Sequence, residues 1–333
     1  MRMTVDPNKY KFHHSGIKVK DPAPSIRFYE HLGMRVLMTR NYDDIGIGYW
    51  YMGYDSPKAV SHGAEVYDRQ GVVELLYFHG TEKDRNLQYP VNDEDVSKLY
   101  GFLCFSVDNL QAACSRIAYA GYRILQGSSD TYAIALDPDG YQVKLIEQRG
   151  TKKSLASSTD PSTYRLNHTT LRIKSHDTII NFFQDVMGMS IVMMGHQANE
   201  TNQCFLAYGM TDTLGLDADP TSLEGLLKIT WNDAHDSLLS GPNKQDRQGV
   251  DHICVTVDDI EAATRRCEEL GCSWLLRFGS GVTPGYAYMY TPDGHVIEFL
   301  QNTAFPGKEE YYIEIERQLE QVSHRLLNKK TKA

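Results

Sequence analysis

The sequence predicts an α+β fold built from four copies of one strand–helix–strands unit, and three internal matches predict it. HSGIKVKDPAPSIRFYEHLGMRVL (residues 14–37) aligns with HTTLRIKSHDTIINFFQDVMGMSIV (residues 168–192). GFLCFSVDNLQAACSRIAYAGY (residues 101–122) aligns with DHICVTVDDIEAATRRCEELGC (residues 251–272). DPDGYQVKLIEQ (residues 137–148) aligns with TPDGHVIEFLQN (residues 291–302). Self-similarity on this scale is the signature of a duplicated architecture.

Each unit opens with an alternating strand, followed by a helical pattern that closes on a glycine. Gly33 and Gly188 read as helix C-caps, with Gly121 and Gly271 in the same role in the other two units. Asp108 and Asp258 read as the N-caps of the second and fourth helices. The units start near residues 12, 101, 166 and 250. A Pro-Asp-Gly turn leads into the last strand of the second and fourth units. Polar connectors lie at 55–70, 80–98 and 233–248, and GTKKSLASSTDPST is a linker between halves. The expected division is a first domain at 10–149, a linker at 150–164, a second domain at 165–304 and a tail at 305–333. In the tail, EEYYIEIERQLEQVSHRLL has helical apolar spacing and is expected to pack on the body of the protein.

With 333 residues, the chain fits two domains of about 150 residues each. A net charge of −9 without a basic tract argues against nucleic acid and anionic membrane as partners. No apolar run reaches the roughly 18 residues that span a bilayer, and the first residues lack an apolar signal core. Six cysteines without a CxxC or a dense framework read as reduced thiols. A cytoplasmic monomer acting on a small molecule is the expectation.

The polar residues fall at repeat-equivalent places. The first strands carry His14, Phe102, His168 and His252, and the last strands carry Glu74, Lys144, Lys228 and Glu298. The interval from His14 to Glu74 equals that from His168 to Lys228. Alternation along a strand puts Glu74 on the face of Val72 and Leu76, and Glu298 on that of Val296 and Leu300. A carboxylate on an apolar face needs a partner, a hydrogen bond or a cation. Two imidazoles and two carboxylates suit Zn²⁺, Ni²⁺, Co²⁺ or Fe²⁺ better than Ca²⁺ or Mg²⁺.

These stretches, with GVVELLYFHGTEK, VDHICVTVDD and TPDGHVIEFL, resemble the vicinal oxygen chelate superfamily over about residues 12–302. The nearest resemblance is to glyoxalase I (lactoylglutathione lyase) of the fused, tandem-domain kind. It implies tandem glyoxalase/bleomycin-resistance/dioxygenase-type domains, with four βαβββ units forming two curved mixed sheets, or cups. It also implies that the first unit pairs with the fourth and the second with the third. One cup would then hold a single divalent ion, Zn²⁺ or Ni²⁺ with Fe²⁺ or Co²⁺ as alternatives, on His14, Glu74, His252 and Glu298. The other cup, with Phe102, Lys144, His168 and Lys228, could not bind one. Extradiol dioxygenases of the same superfamily pair units within one half, which would instead gather His168, His252 and Glu298 around Fe²⁺. The swapped pairing places all three incompatible residues in one cup and is preferred.

By this resemblance the catalytic residues are Glu298, the base, and Glu74, the ligand across the metal that could take the other face, and the substrate is the hemithioacetal of glutathione and a 2-oxoaldehyde. The product would be a hydroxyacyl-thioester. The glutathione contacts depart from the family pattern. Lys18 replaces an arginine, Phe78 an asparagine, and Gln248 a second arginine with Arg247 beside it. Lys18, Phe78, Arg247 and Tyr288 are the expected substrate contacts. Tyr288, Met289, Tyr290 and Phe78 would give an apolar, aromatic pocket. The alternative is therefore another metalloenzyme of the superfamily, an isomerase, lyase or extradiol-type dioxygenase acting on an apolar or aromatic oxygenated metabolite.

Overall fold

The computed structural model describes residues 5–89, 100–126, 131–149, 158–174, 176–197, 201–209, 220–231, 250–280, 285–315 and 317. All four strand–helix–strands units are present. The first comprises β1 (Lys11–Val19), α1 (Pro22–His31), β2 (Arg35–Tyr42), β3 (Ile47–Gly53) and β4 (Val72–Phe78). The second comprises β5 (Tyr100–Val107), α2 (Leu110–Tyr119), β6 (Ile124–Gln126), β7 (Tyr132–Leu136) and β8 (Gln142–Glu147). The third has β9 (Arg165–Arg172), α3 (His176–Asn181), β10 (Ser190–Gln197), β11 (Thr201–Ala207) and β12 (Leu226–Trp231), with a π turn at Phe182–Val186 extending α3. The fourth has β13 (Val250–Val257), α4 (Ile260–Glu269), β14 (Ser273–Leu276), β15 (Tyr286–Tyr290) and β16 (Val296–Gln301).

Helix starts are set by short polar side chains. Asp21 accepts from the Ala23 amide, with Pro22 pre-set for the first turn. In α2 and α4 the capping residue is one position later than expected: Asn109 accepts from Ala112 and Asp259 from Ala262. The preceding aspartates do other work. Asp108 accepts from Thr159 and the Asp160 amide, and Asp258 pairs with Lys9. Gly33 and Gly188 both adopt positive φ after their helices. A Cβ there would also strike Pro161 and Pro7 respectively, so each position excludes a side chain twice over.

Two eight-stranded sheets result, ordered β14-β15-β16-β13-β1-β4-β3-β2 and β10-β11-β12-β9-β5-β8-β7-β6. The first sheet joins units one and four through the antiparallel β1–β13 pair, and the second joins units two and three through β5–β9. The apolar cores are divided the other way. One core packs α1 and α2 with β1, β4, β5 and β8, and the other unites the helices and strands of units three and four. Each core is therefore drawn mainly from one half, with Tyr10 and Phe12 reaching into the core of units three and four and Leu166 into that of units one and two, while each sheet is shared by both halves. Matching turn contacts tie the units within a half: Asp139 accepts from the Lys20 amide, and Asp293 accepts from the Lys174 amide. All six cysteines are free thiols.

The start of the tail crosses the first sheet. The Tyr312 ring lies tilted against Tyr67 of the 55–70 connector with centroids 4.5 Å apart, and its hydroxyl donates to the Gln301 carbonyl at 3.1 Å. The remainder of the amphipathic segment, from residue 318 onward, lies outside the described residues.

Candidate metal centre

Register in the first sheet brings the four expected ligands together. Gly16 sits opposite both His252 and Glu74, while Cys254 sits opposite His14 and Glu298. Because parallel neighbours present the same face, Glu74 and Glu298 project beside the two histidines. Gly16 makes this approach feasible, since a Cβ on it would lie 2.4 Å from His252 Cε1. His14 Nε2 is 2.9 Å from His252 Nε2 and 3.3 Å from Glu298 Oε2, and His252 Nε2 is also 3.3 Å from that oxygen. Glu74 lies 3.5 Å from His14 and 3.6 Å from His252. Atoms bound to one ion at about 2.0–2.2 Å are spaced about 3–3.5 Å apart, so this spacing suits a shared cation.

Burial sharpens the point. His14, Glu74, His252 and Glu298 are 1%, 1%, 2% and 5% exposed. Glu74 Oε1 and Glu298 Oε2 are buried without a hydrogen-bond partner. Two orphaned carboxylate oxygens aimed at two imidazole nitrogens are what a divalent cation would satisfy. The titration behaviour agrees. Burial and then the neighbouring Glu298 charge raise Glu74, offset in part by the two histidines. Burial opposes a charge on His252, but Glu298 and Asp251 override it and raise the imidazole. Burial likewise opposes the Glu298 carboxylate, which His252 and then His14 hold well below the usual range. Among its own groups, the cluster draws positive charge to itself.

The residue before each histidine orients the ring. His252 Nδ1 meets Asp251 at 3.2 Å, and Asp251 is held in turn by Lys18 at 2.6 Å. His14 Nδ1 meets His13 Nδ1 at 2.7 Å, and His13 Nε2 donates to the Val66 carbonyl at 2.9 Å. Burial above all pushes His13 down to about 3, so it is neutral. A neutral ring that donates through Nε2 must accept at Nδ1. His14 therefore carries its proton on Nδ1 and leaves Nε2 bare toward the cluster, a tautomer assigned from partners.

Two tyrosines complete a pseudo-twofold set. Tyr288, opposite Glu298 in the β15–β16 register, donates to its Oε1 at 2.7 Å. Tyr51 holds the equivalent place opposite Glu74, with a hydrogen bond to that carboxylate. Their rings stand edge-on to His252 and His14 at 5.5 and 5.4 Å.

Of the expected substrate contacts, Tyr288 lies against Glu298, and Lys18 has its ammonium on Asp251. Phe78 ends β4 and is 38% exposed. Arg247, with Gln248, lies outside the described residues. Sequence reasoning did not single out His13, Asp251 or Tyr51. A signal for two of them was present, because a polar residue precedes each cup histidine in HH, NH and DH.

The second sheet repeats the geometry with other chemistry. Cys104 sits opposite His168 and Lys144, and Lys228 lies opposite Thr170 and Phe205. Lys144 and Lys228 thus hold the places of Glu298 and Glu74. The only groups of three or more metal-ligating side chains found among the described residues are in the first sheet: His14, Glu74, His252 and Glu298, and His13, His14 and Cys254.

The model of the Glyoxalase/Bleomycin resistance protein/Dioxygenase superfamily matches residues 11–145 and again 165–299. The chain is 31% identical over 312 residues to lactoylglutathione lyase of Schizosaccharomyces pombe, covering 90% of this chain and 99% of that one. It is 29% identical to glyoxalase I of Saccharomyces cerevisiae, covering 86% and 91%. Crystalline glyoxalase I of Zea mays superposes with a TM-score of 0.63 at 21% identity, covering 88% of this chain and 93% of that one. No helix among the described residues is long and apolar enough to cross a membrane.

Proposed function

The chain belongs to the Glyoxalase/Bleomycin resistance protein/Dioxygenase superfamily, and we propose that it works as a lyase of the glyoxalase I type through one metal centre in the first cup. The reaction isomerises the hemithioacetal of glutathione and a 2-oxoaldehyde to a hydroxyacyl-thioester. The observation that carries the reading is the buried His14, Glu74, His252 and Glu298 cluster with two unpartnered carboxylate oxygens.

His14, His252, Glu74 and Glu298 would hold the ion, Zn²⁺ or Ni²⁺ fitting the two-nitrogen, two-oxygen donor set. When bound, it supplies Lewis acidity to the adjacent oxygens of the substrate, and no change of oxidation state is needed. Glu298 takes the proton from the carbon bearing sulfur and returns it to the neighbouring carbon, while the hydroxyl proton passes between the two oxygens. Tyr288 holds Glu298 through Oε1, so Oε2, the oxygen that faces the two histidines, is the one placed to meet both the ion and the migrating proton. Glu74, held by Tyr51, faces the other side of the same point. Asp251 and His13 keep the imidazoles presenting Nε2.

Lys18, Phe78, Arg247 and Tyr288 remain our proposed substrate contacts, the Lys18 ammonium being paired with Asp251 at 2.6 Å. A cytosolic monomer is the setting we assign, consistent with six unpaired thiols.

The test follows thioester absorbance with methylglyoxal and glutathione after loading with Zn²⁺ or Ni²⁺. Metal-dependent thioester formation that disappears in Glu298→Gln supports the reading. Absence of turnover with metal demonstrably bound overturns it.

A further inference from the structure

The second cup places a buried ammonium where the first cup has a metal-binding carboxylate. Lys228 is 2% exposed, and its described contact is the Phe205 ring, 5.3 Å from Nζ. Lys144 lies over Phe102 at 5.2 Å and Tyr132 at 4.1 Å. Among the described residues no carboxylate is paired with either ammonium. Aromatic faces offset only part of the cost of burying a cation, about 0.5–2 kcal/mol each. Two like charges in one cup leave most of it unmet.

The other buried groups say what would meet it. Asn167 donates through Nδ2 to the Pro220 and Leu223 carbonyls, at 2.6 and 2.9 Å. Its Oδ1 therefore accepts from His168 Nδ1 at 2.7 Å. This leaves His168 Nε2 as a bare lone pair, and that atom is buried with no partner. Burial, then Lys228, then Lys144, holds His168 well below its ordinary value, so the ring stays neutral. Thr170 Oγ1, opposite Lys228 in the β9–β12 register, is likewise buried and unpartnered.

We propose that the second cup is a binding site for a small hydroxycarboxylate, held by the Lys228 and Lys144 ammonium groups, the His168 Nε2 lone pair and the Thr170 hydroxyl. The carboxylate bridges the two ammonium groups with charge-assisted hydrogen bonds and offsets one of their two charges. The hydroxyl of the ligand donates to His168 Nε2, which an aprotic anion cannot do. Phe102, Tyr132 and Phe205 cover a short apolar remainder. A cation is excluded for the reason that suits an anion: the carboxylates of the first cup are lysines here. The inference does not depend on the reaction assigned to the first cup.

Isothermal titration of the full-length, metal-loaded protein with D- and L-lactate, acetate, inorganic phosphate and chloride at constant ionic strength tests this. Saturable lactate binding at one site per chain is expected, with acetate at least about tenfold weaker because it leaves Nε2 unpaired. Lys228→Met and Lys144→Met should each weaken lactate about tenfold or more, and His168→Leu should abolish the preference for lactate over acetate. Metal content and thioester formation should be unchanged in all three. Thermal unfolding of each variant confirms that it is folded. Absence of saturable lactate binding, equal binding of lactate and acetate, or lactate affinity unaltered in Lys228→Met would each overturn the proposal. Phosphate binding tighter than lactate would reassign the site to a phosphate ligand and refute the hydroxycarboxylate.

Discussion

His13→Phe isolates the hydrogen bond that sets the tautomer of a metal-facing histidine. His13 is fully buried, edge-on to His14 and tilted against Tyr51 and Tyr67 with centroids 6.1 and 6.0 Å away. A phenyl ring preserves those contacts and removes both ring nitrogens. His14 then loses the acceptor for its Nδ1 proton, at a cost of about 1–3 kcal/mol for a buried unsatisfied donor. The other tautomer escapes that cost by putting the proton on Nε2, where Glu298 at 3.3 Å and Glu74 at 3.5 Å would accept it. A metal must then displace that proton, so affinity should fall about 10- to 100-fold. Competition with a fluorescent chelator measures the loss, and ¹⁵N imidazole spectra of the metal-free protein report the tautomer directly. A folded variant with metal affinity within about twofold of wild type, or with its proton still on Nδ1, would refute the reasoning.

Two further substitutions probe the packing and the charge. Gly16→Ala places a methyl 2.4 Å from His252 Cε1, so His252 must swing away. The variant should lose metal affinity by about 100-fold while losing only about 1–3 kcal/mol of stability, read by chelator competition and denaturant unfolding. Lys228→Met should stabilise the protein at neutral pH, where a charged ammonium is held in an apolar cup. Burial, then Lys144, lowers Lys228 from 10.5 to about 8. The unfolded chain therefore binds the extra proton between pH 8 and 10.5, and wild-type stability rises with pH across that window. Relative to Lys228→Met, wild type should be less stable by about 3 kcal/mol below pH 8, with the gap closing toward pH 10.5. A gap that widens with pH would contradict the charge state assigned to Lys228.

Much of the fold could be read because the chain states it more than once. Alternating strands, glycine stops and Pro-Asp-Gly turns recur at repeat-equivalent positions, and each repetition removes an alternative. The helix caps were misplaced by one residue because Asp108-Asn109 and Asp258-Asp259 each offer two competent caps. Which one serves depends on what else needs a carboxylate, and Thr159 and Lys9 claimed the first of each pair. The four ligand positions were visible because the two cups differ there in charge. His13 was harder, because its contact with His14 arises where the β1–β13 register slips between Phe12 and His14, breaking strict alternation. Tyr51 and the Lys18–Asp251 pair depend on cross-strand neighbours that a linear reading does not supply.

Metal stoichiometry in the wild type and two variants addresses the swapped, single-centre architecture most directly. Elemental analysis of the purified, dialysed protein should find about one divalent ion per chain, retained in Lys144→Ala and lost in Glu298→Gln. Two ions per chain, or loss of the ion in His168→Ala, would contradict it.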